Sequence, residues 1–306
     1  MDIYLPIAEQ SVNALVIIGL GAVVGMLSGL FGVGGGFLTT PLLIFYGIPP
    51  SIAVASASTQ ITGASVSGAI AHWRRKGVDA RLGLILVIGG LLGSAIGSFI
   101  FKWLKAIGQI DFVIAISYAL VLGSVGGLMV AESITAMVRA TRAQPVRRRR
   151  KHDGWPYKLP WPMRFHRAGI YVSPIGPLLM GAVVGMLTAI MGVGGGFLLV
   201  PAMIYMLGVS TAVVVGTSLF QIIFTTAAVT MLHAFNTQTV DVVLALLLLI
   251  GGVVGAQFGA RLALRIKAEQ LRAMLGLMVL MVALQIGFQL TIKPQQPFSL
   301  EQQAPQ

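Results

Sequence analysis

The stretch Gly21-Ala22-Val23-Val24-Gly25-Met26-Leu27, followed by Gly32-Val33-Gly34-Gly35-Gly36-Phe37-Leu38, recurs almost unchanged as Gly181–Leu187 and Gly192–Leu198. The chain is therefore a duplication, and each copy interrupts an apolar run with a glycine-rich break. In hydrocarbon such a break exposes backbone N–H and C=O groups, which is tolerated only where they are buried in protein or line a cavity. With 56% hydrophobic and 10% charged residues and a mean hydropathy of +0.89, the chain is far outside soluble composition. It reads as an integral membrane protein.

Apolar stretches long enough to span occur at about 12–31, 51–72, 80–101, 110–131, 174–191, 212–232, 240–262 and 271–290. Two shorter runs, 37–47 and 197–207, follow the glycines. The expected class is an all-α polytopic membrane protein made of two inverted repeats. It has eight to ten transmembrane helices, with short or broken helices after the glycine motifs. The division is 1–131 for the first repeat, 132–173 for a basic cytoplasmic linker, 174–290 for the second repeat and 291–306 for a polar tail. The N-terminus carries Asp2 and Glu9 but no positive leader, so the first apolar run reads as a retained span.

The copies align well beyond the glycines. Pro41 matches Pro201, Gly47 matches Gly208, Gln60 matches Gln221, His72 matches His233 and Asp79 matches Asp241. The series Gly89, Gly90, Gly93, Gly97 matches Gly251, Gly252, Gly255, Gly259 and reads as a small-residue packing surface. Relative orientation follows from positive charge, which favours the cytoplasmic side. The loop with Arg74, Arg75, Lys76 and Arg81 has a counterpart without Lys or Arg. The next loop reverses the bias, with Lys102 and Lys105 against Arg261, Arg265, Lys267 and Arg272. Equivalent loops thus face opposite sides, which requires an odd number of crossings per half. Five per half is the reading; eight spans plus two re-entrant segments is the rival, and it would put Arg261 outside.

The net charge of +12 is concentrated: ten of the 21 Lys and Arg lie between Arg139 and Arg167, around Arg147–Lys151. Such a cluster beside a membrane is a topology signal facing anionic lipid rather than a nucleic-acid site. The chain has no cysteine, so thiol chemistry and Cys-ligated metals are excluded. Asp79, Asp111, Asp241 and Glu132 lie at span ends, leaving no carboxylate inside a span for a cation site. Nucleophile, metal cluster and acid pair are likewise missing from the spans, which argues against an enzyme and calls for no cofactor or metal. A small anion served by neutral donors remains.

The donors expected to bind it are the backbone of Gly32, Gly34, Gly35, Gly36 and Phe37 and of Gly192, Gly194, Gly195, Gly196 and Phe197, where free amides open a short helix. Close packing is the alternative role of those glycines. Side-chain donors are Ser56 with Gln60 and Thr217 with Ser218 and Gln221, set one helical turn apart, against the alternative of plain interhelical bonding. His72, His233 and the tryptophans read as interfacial.

The doubled Gly-x-Gly-Gly-Gly-Phe-Leu motif with Pro41 and Pro201 five residues on, Gly216-Thr217-Ser218, and Val240-Asp241 before a span with paired glycines resemble the TauE/SafE sulfite exporter family. Met163–Phe165 and Gly169–Pro174 resemble its bacterial branch with a long central loop. The resemblance implies an inner-membrane permease, read here as a secondary transporter whose termini the charge distribution places on the periplasmic side. It would export a small sulfur-containing anion, such as sulfite or a sulfonate, by alternating access at a midplane site. The alternative is a permease or channel for another small anion. Membrane lipid is the other expected partner, and homo-oligomerisation is left open.

Overall fold

The computed structural model describes residues 2–31, 34–141, 160–262 and 268–291. Gly32, the arginines of 147–150, Trp155, Arg265, Lys267 and nearly all of the C-terminal tail lie outside them. Ten helices occur among the described residues: α1 Ala14–Phe31, α2 Gly36–Phe45, α3 Pro50–Arg74, α4 Ala80–Ala106, α5 Ile110–Thr141, α6 Ile175–Met191, α7 Gly196–Tyr205, α8 Thr211–Asn236, α9 Val242–Leu262 and α10 Ala268–Thr291. Five of them, α1, α4, α5, α8 and α9, contain stretches long and apolar enough to cross a membrane alone. Each repeat opens with an antiparallel hairpin, β1 Asp2–Leu5 with β2 Gln10–Asn13, and β3 Met163–Phe165 with β4 Ile170–Val172. The second hairpin falls in the stretch read from sequence as linker, and α5 runs ten residues beyond the end expected for the first repeat.

Glycines decide which helices touch. A Cβ on Gly25 would lie 2.6 Å from the Gly252 Cα, and Cβ atoms on Gly21 and Gly29 would strike the backbones of Leu248 and Ala256. Both partners advance together, so α1 and α9 are parallel and in backbone contact. The same relation joins α4 to α6, where Gly89, Gly93 and Gly97 face Leu178, Ala182 and Met186. Approach this close lets carbonyls meet Cα–H groups and maximises dispersion, the forces that hold helices together where lipid removes the hydrophobic drive. Each pair joins one helix from each repeat, so the repeats interlock.

The helices on the repeat axis run oppositely. Thr59 Oγ1 lies 3.3 Å from Thr230 Oγ1 and Thr62 Oγ1 lies 2.8 Å from Thr226 Oγ1, so α3 rises where α8 falls. On α5 and α10, Gly123 faces Ala283 and Gly126 faces Leu280, again antiparallel. A two-fold axis that relates antiparallel helices lies across them, and the repeats are therefore inverted.

The short helices complete return crossings. Gly35 packs on Val24 and Ser28, well inside the length of α1. From there α2 rises about 15 Å over its ten residues to the end where α1 began. There Leu43 and Ile48 join Leu5, Val12 and Ile17, and the Tyr46 hydroxyl accepts from the Asn13 amide. In the other repeat Gly195 packs on Val184 and Thr188, and α7 returns Met203 and Leu207 to Phe165 and Val172. Five passes per half result. Arg74, Arg75, Lys76, Arg81, Arg164, Arg167 and Arg261 then share the linker end, whereas Lys102 and Lys105 share the end of the chain termini. The eight-span count fails on Arg261. Between the two ends the outer faces are apolar, with Ile88, Leu92, Ile96 and Phe99 on α4 and Leu246, Ile250, Val254 and Phe258 on α9 all exposed.

Candidate functional site

Two buried carboxylates fix the hairpins and the helices beside the site. Asp79 accepts at Oδ1 from the Leu82 amide, capping α4, and at Oδ2 from the Arg167 and Ala168 amides at the tip of the second hairpin. Asp241 repeats this on α9, accepting from Leu244 and from Ile7 in the first hairpin. A carboxylate at a helix N-terminus is favoured by the free amides and the dipole there. The backbone N–H of Asp79 donates to Thr217 Oγ1 at 3.0 Å, and that of Asp241 to Ser56 Oγ at 3.1 Å. Ser56 and Thr217, expected as anion donors, thus anchor α3 and α8 to the neighbouring helix starts. Ser218 Oγ donates to the Val215 carbonyl in its own helix.

One turn deeper lie Gln60 and Gln221, both wholly buried. Thr39 on α2 donates to Gln60 Oε1 at 3.0 Å, leaving Nε2 without a partner. Gln221 Nε2 donates to Thr225 Oγ1 at 2.7 Å, leaving Oε1 without one. Each glutamine therefore has one threonine, supplied from different positions: Leu199 stands where the copy of Thr39 would be, and Ala64 where that of Thr225 would be. A half-turn of the Gln221 amide exchanges its free acceptor for a free donor. Gly252 and Gly90 make room for the amides, since a Cβ on either would come 2.6 Å from the glutamine Nε2. Two members of the packing stripe therefore also shape the site.

The glycine segments meet at the α3–α8 crossing. Gly34 and Gly194 both lie against Ile61 and Ile222, and a Cβ on Gly36 would come 2.5 Å from the Val193 carbonyl. Phe37 and Phe197, at the starts of α2 and α7, have ring centroids 6.1 Å apart. Positive φ angles of 84° and 72° at Gly34 and Gly35, and of 74° and 72° at Gly194 and Gly195, explain the residue type, since side chains with a Cβ are strained there. Leu38 and Leu198 amides begin the helical bonding by donating to Gly35 and Gly195. The preceding amides, of Gly34–Phe37 and of Gly194–Phe197, donate to no described residue. Gly192 belongs elsewhere: its amide closes α6 on the Thr188 carbonyl.

Three polar residues here escaped the sequence reading. Thr39 directly follows the repeated motif, at a position where the second copy has leucine. Tyr118 on α5 is fully buried and donates to the Met191 carbonyl at 2.7 Å; beside Ser117, it was one of two adjacent hydroxyls in an apolar run. His233 is a correction to the interfacial expectation. It is buried, with Nε2 2.9 Å from the Ala189 carbonyl and its ring edge-on to Phe101 at 4.4 Å. Trp73 and Trp103 are exposed near the ends of α3 and α4, and Trp161 is exposed just before β3.

The family model for the sulfite exporter TauE/SafE matches residues 17–286, nearly the whole folded part of the chain. The chain belongs to the TauE/SafE family. It is 30% identical over 270 residues to the "Probable membrane transporter protein YjnA" of Bacillus subtilis, covering 88% of this chain and 98% of that one. A "Probable membrane transporter protein" of Xylella fastidiosa is 30% identical over 278 residues, with 90% and 95% covered. An Arabidopsis thaliana "Sulfite exporter TauE/SafE family protein 3" is 29% identical over 113 residues, 35% of this chain and 24% of that one. No solved structure matches. The TauE/SafE family and these relatives make the chain a multi-pass membrane transporter.

Proposed function

We propose that this TauE/SafE chain is a secondary transporter of the bacterial inner membrane that exports a small sulfur-containing anion, sulfite or a sulfonate. The linker end faces the cytoplasm and the termini face the periplasm, as the distribution of Arg and Lys favours. The observation that carries the reading is the pair of buried glycine segments whose amides have no acceptor among the described residues. A buried amide without a partner costs about 1–3 kcal/mol, and such amides on two segments that meet at the α3–α8 crossing would offer a polarised, uncharged cradle for a small anion. Gln60 adds an unpaired Nε2 and Gln221 an unpaired amide oxygen that a half-turn replaces by N–H. Ser56, Thr217 and Ser218 are held by the backbone and serve as supports.

Alternating access needs two bodies. The interlock makes them mixed: α1 to α3 with α9, and α6 to α8 with α4, each closed by its own hairpin and aspartate. Across the α3–α8 seam the hydroxyl pairs and the Ile61–Ile222 contact are joined by Leu219 against Gly68 and Trp73 against Phe220, and this seam is where the two bodies would move. The test is ligand-dependent stabilisation of purified protein by sulfite, sulfate, thiosulfate, sulfoacetate, taurine and small carboxylates, with uptake of the best ligand in proteoliposomes. Binding of a ligand to the folded state raises apparent stability. Stabilisation by a carboxylate and by no sulfur anion would move the substrate class to other organic anions.

A further inference from the structure

A cavity of about 130 Å³ opens at the end of the chain termini between α2, α3, α5 and α10, lined by Pro41, Phe45, Asp111, Ala115, Tyr118 and Ile286 among others. Pro50 and Asp111, which start α3 and α5, mark its mouth, and Tyr118 lies deepest. The Tyr118 hydroxyl donates to the Met191 carbonyl, the last residue of α6, and lies 3.5 Å from the Gly36 carbonyl, the first residue of α2. Beside it, Thr40 Oγ1 reaches the Gly192 carbonyl at 3.5 Å. These contacts tie the glycine segment of the second repeat to the first turn of α2, across the path from cavity to amides. α10, the repeat partner of α5, contains no tyrosine. The inverted symmetry therefore does not demand the hydroxyl, and it acts on one side of the site only.

We propose that the cavity is the substrate's path to the terminal side and that Tyr118 is its gate. Its hydroxyl pins the Met191–Gly195 segment between cavity and site; when that bond releases, the segment moves and the cavity joins the site. Asp111 at the mouth repels an anion there, which keeps the substrate from lodging in the cavity. This rests on the transport reading, but its test needs no substrate.

The chain has no cysteine, so single cysteines report access without background. Ala115→Cys samples the cavity and Val193→Cys samples the buried segment behind Tyr118. Each is treated with a membrane-impermeant thiosulfonate in intact cells and in inverted vesicles. Ala115→Cys identifies the preparation that exposes the cavity. In that preparation Val193→Cys reacts slowly, and Tyr118→Phe, which keeps the ring but removes the donor, speeds it about tenfold. Thr40→Val gives a smaller increase in the same preparation. Unchanged Val193→Cys labelling in both variants, or an equal rise in both preparations, would overturn the gate. Failure of every anion to stabilise the protein while the labelling pattern holds would sink the substrate assignment and leave the gate standing.

Discussion

Replacing Gly25 by alanine puts the same small change on α1 as replacing Gly19, yet the two differ in sign. At Gly25 the new Cβ would sit 2.6 Å from the Gly252 Cα, whereas at Gly19 nothing lies within 4 Å. Carbon atoms settle at about 3.5–4.0 Å, so α1 and α9 must part by about 1 Å, enough to forfeit a quarter to a half of the dispersion at each contact. The Cα–H···O contacts beside Gly21, Gly25 and Gly29 weaken together, at about 0.5–1 kcal/mol each. With strain, the loss is about 2–4 kcal/mol. At Gly19 the methyl group meets lipid, and helix propensity favours alanine by up to about 1 kcal/mol. Thermal unfolding of detergent-purified variants, followed by fluorescence-detected size exclusion, measures both. Gly25→Ala should melt well below the parent and Gly19→Ala at or above it. Equal melting temperatures would mean that α1 and α9 do not pack backbone to backbone, and the interlocked fold would be wrong.

Gln60→Leu and Gln221→Leu should each weaken anion binding by about 1–3 kcal/mol through loss of a buried donor, read as a shift in the ligand concentration that gives half-maximal thermal stabilisation; a double variant that binds like the parent removes the glutamines from the site. Asp79→Ala leaves the Arg167 and Ala168 amides without an acceptor, so amide exchange across β3–β4 should accelerate while that of α1 and α9 stays slow. The mirror change Asp241→Ala should do the same to β1–β2 and spare β3–β4. Paired cysteines at Thr62 and Thr226 should oxidise to a disulfide, because their hydroxyls lie 2.8 Å apart. Thr59 paired with Thr226 should not cross-link, and mobility on a non-reducing gel decides whether α3 and α8 cross antiparallel.

The inversion was legible because it is written in charge: Arg74–Lys76 and Arg261 occupy non-equivalent loops, and positive residues obey one side of a membrane. The breaks before α2 and α7 were legible because glycine is the residue that takes positive φ without strain. Contacts between helices were not. Lipid and protein interior are equally apolar, so the periodicity that marks a buried face in water fades, and nothing near Gly25 names Gly252 as its partner. The hairpins escaped because strands of three or four residues bury so few side chains, Leu5 and Val12 in one case and Phe165, Ile170 and Val172 in the other. Ser56 and Thr217 were seen correctly as a matched pair, but spacing along one helix cannot reveal that Asp241 and Asp79 start another helix beside them. Tyr118 lacks a twin in the second half, and a search by repetition passes over it.

Because α1 seats on α9 and α6 on α4, neither fragment finishes its own wall. During synthesis the glycine face of α1 stays bare until the last quarter of the chain is made, and α4 waits for α6. Before duplication, a lone fragment would have met the same need by inserting in both directions and trading its fourth helix with an upside-down twin. Joining the two genes changed a chance encounter in the bilayer into an obligatory one.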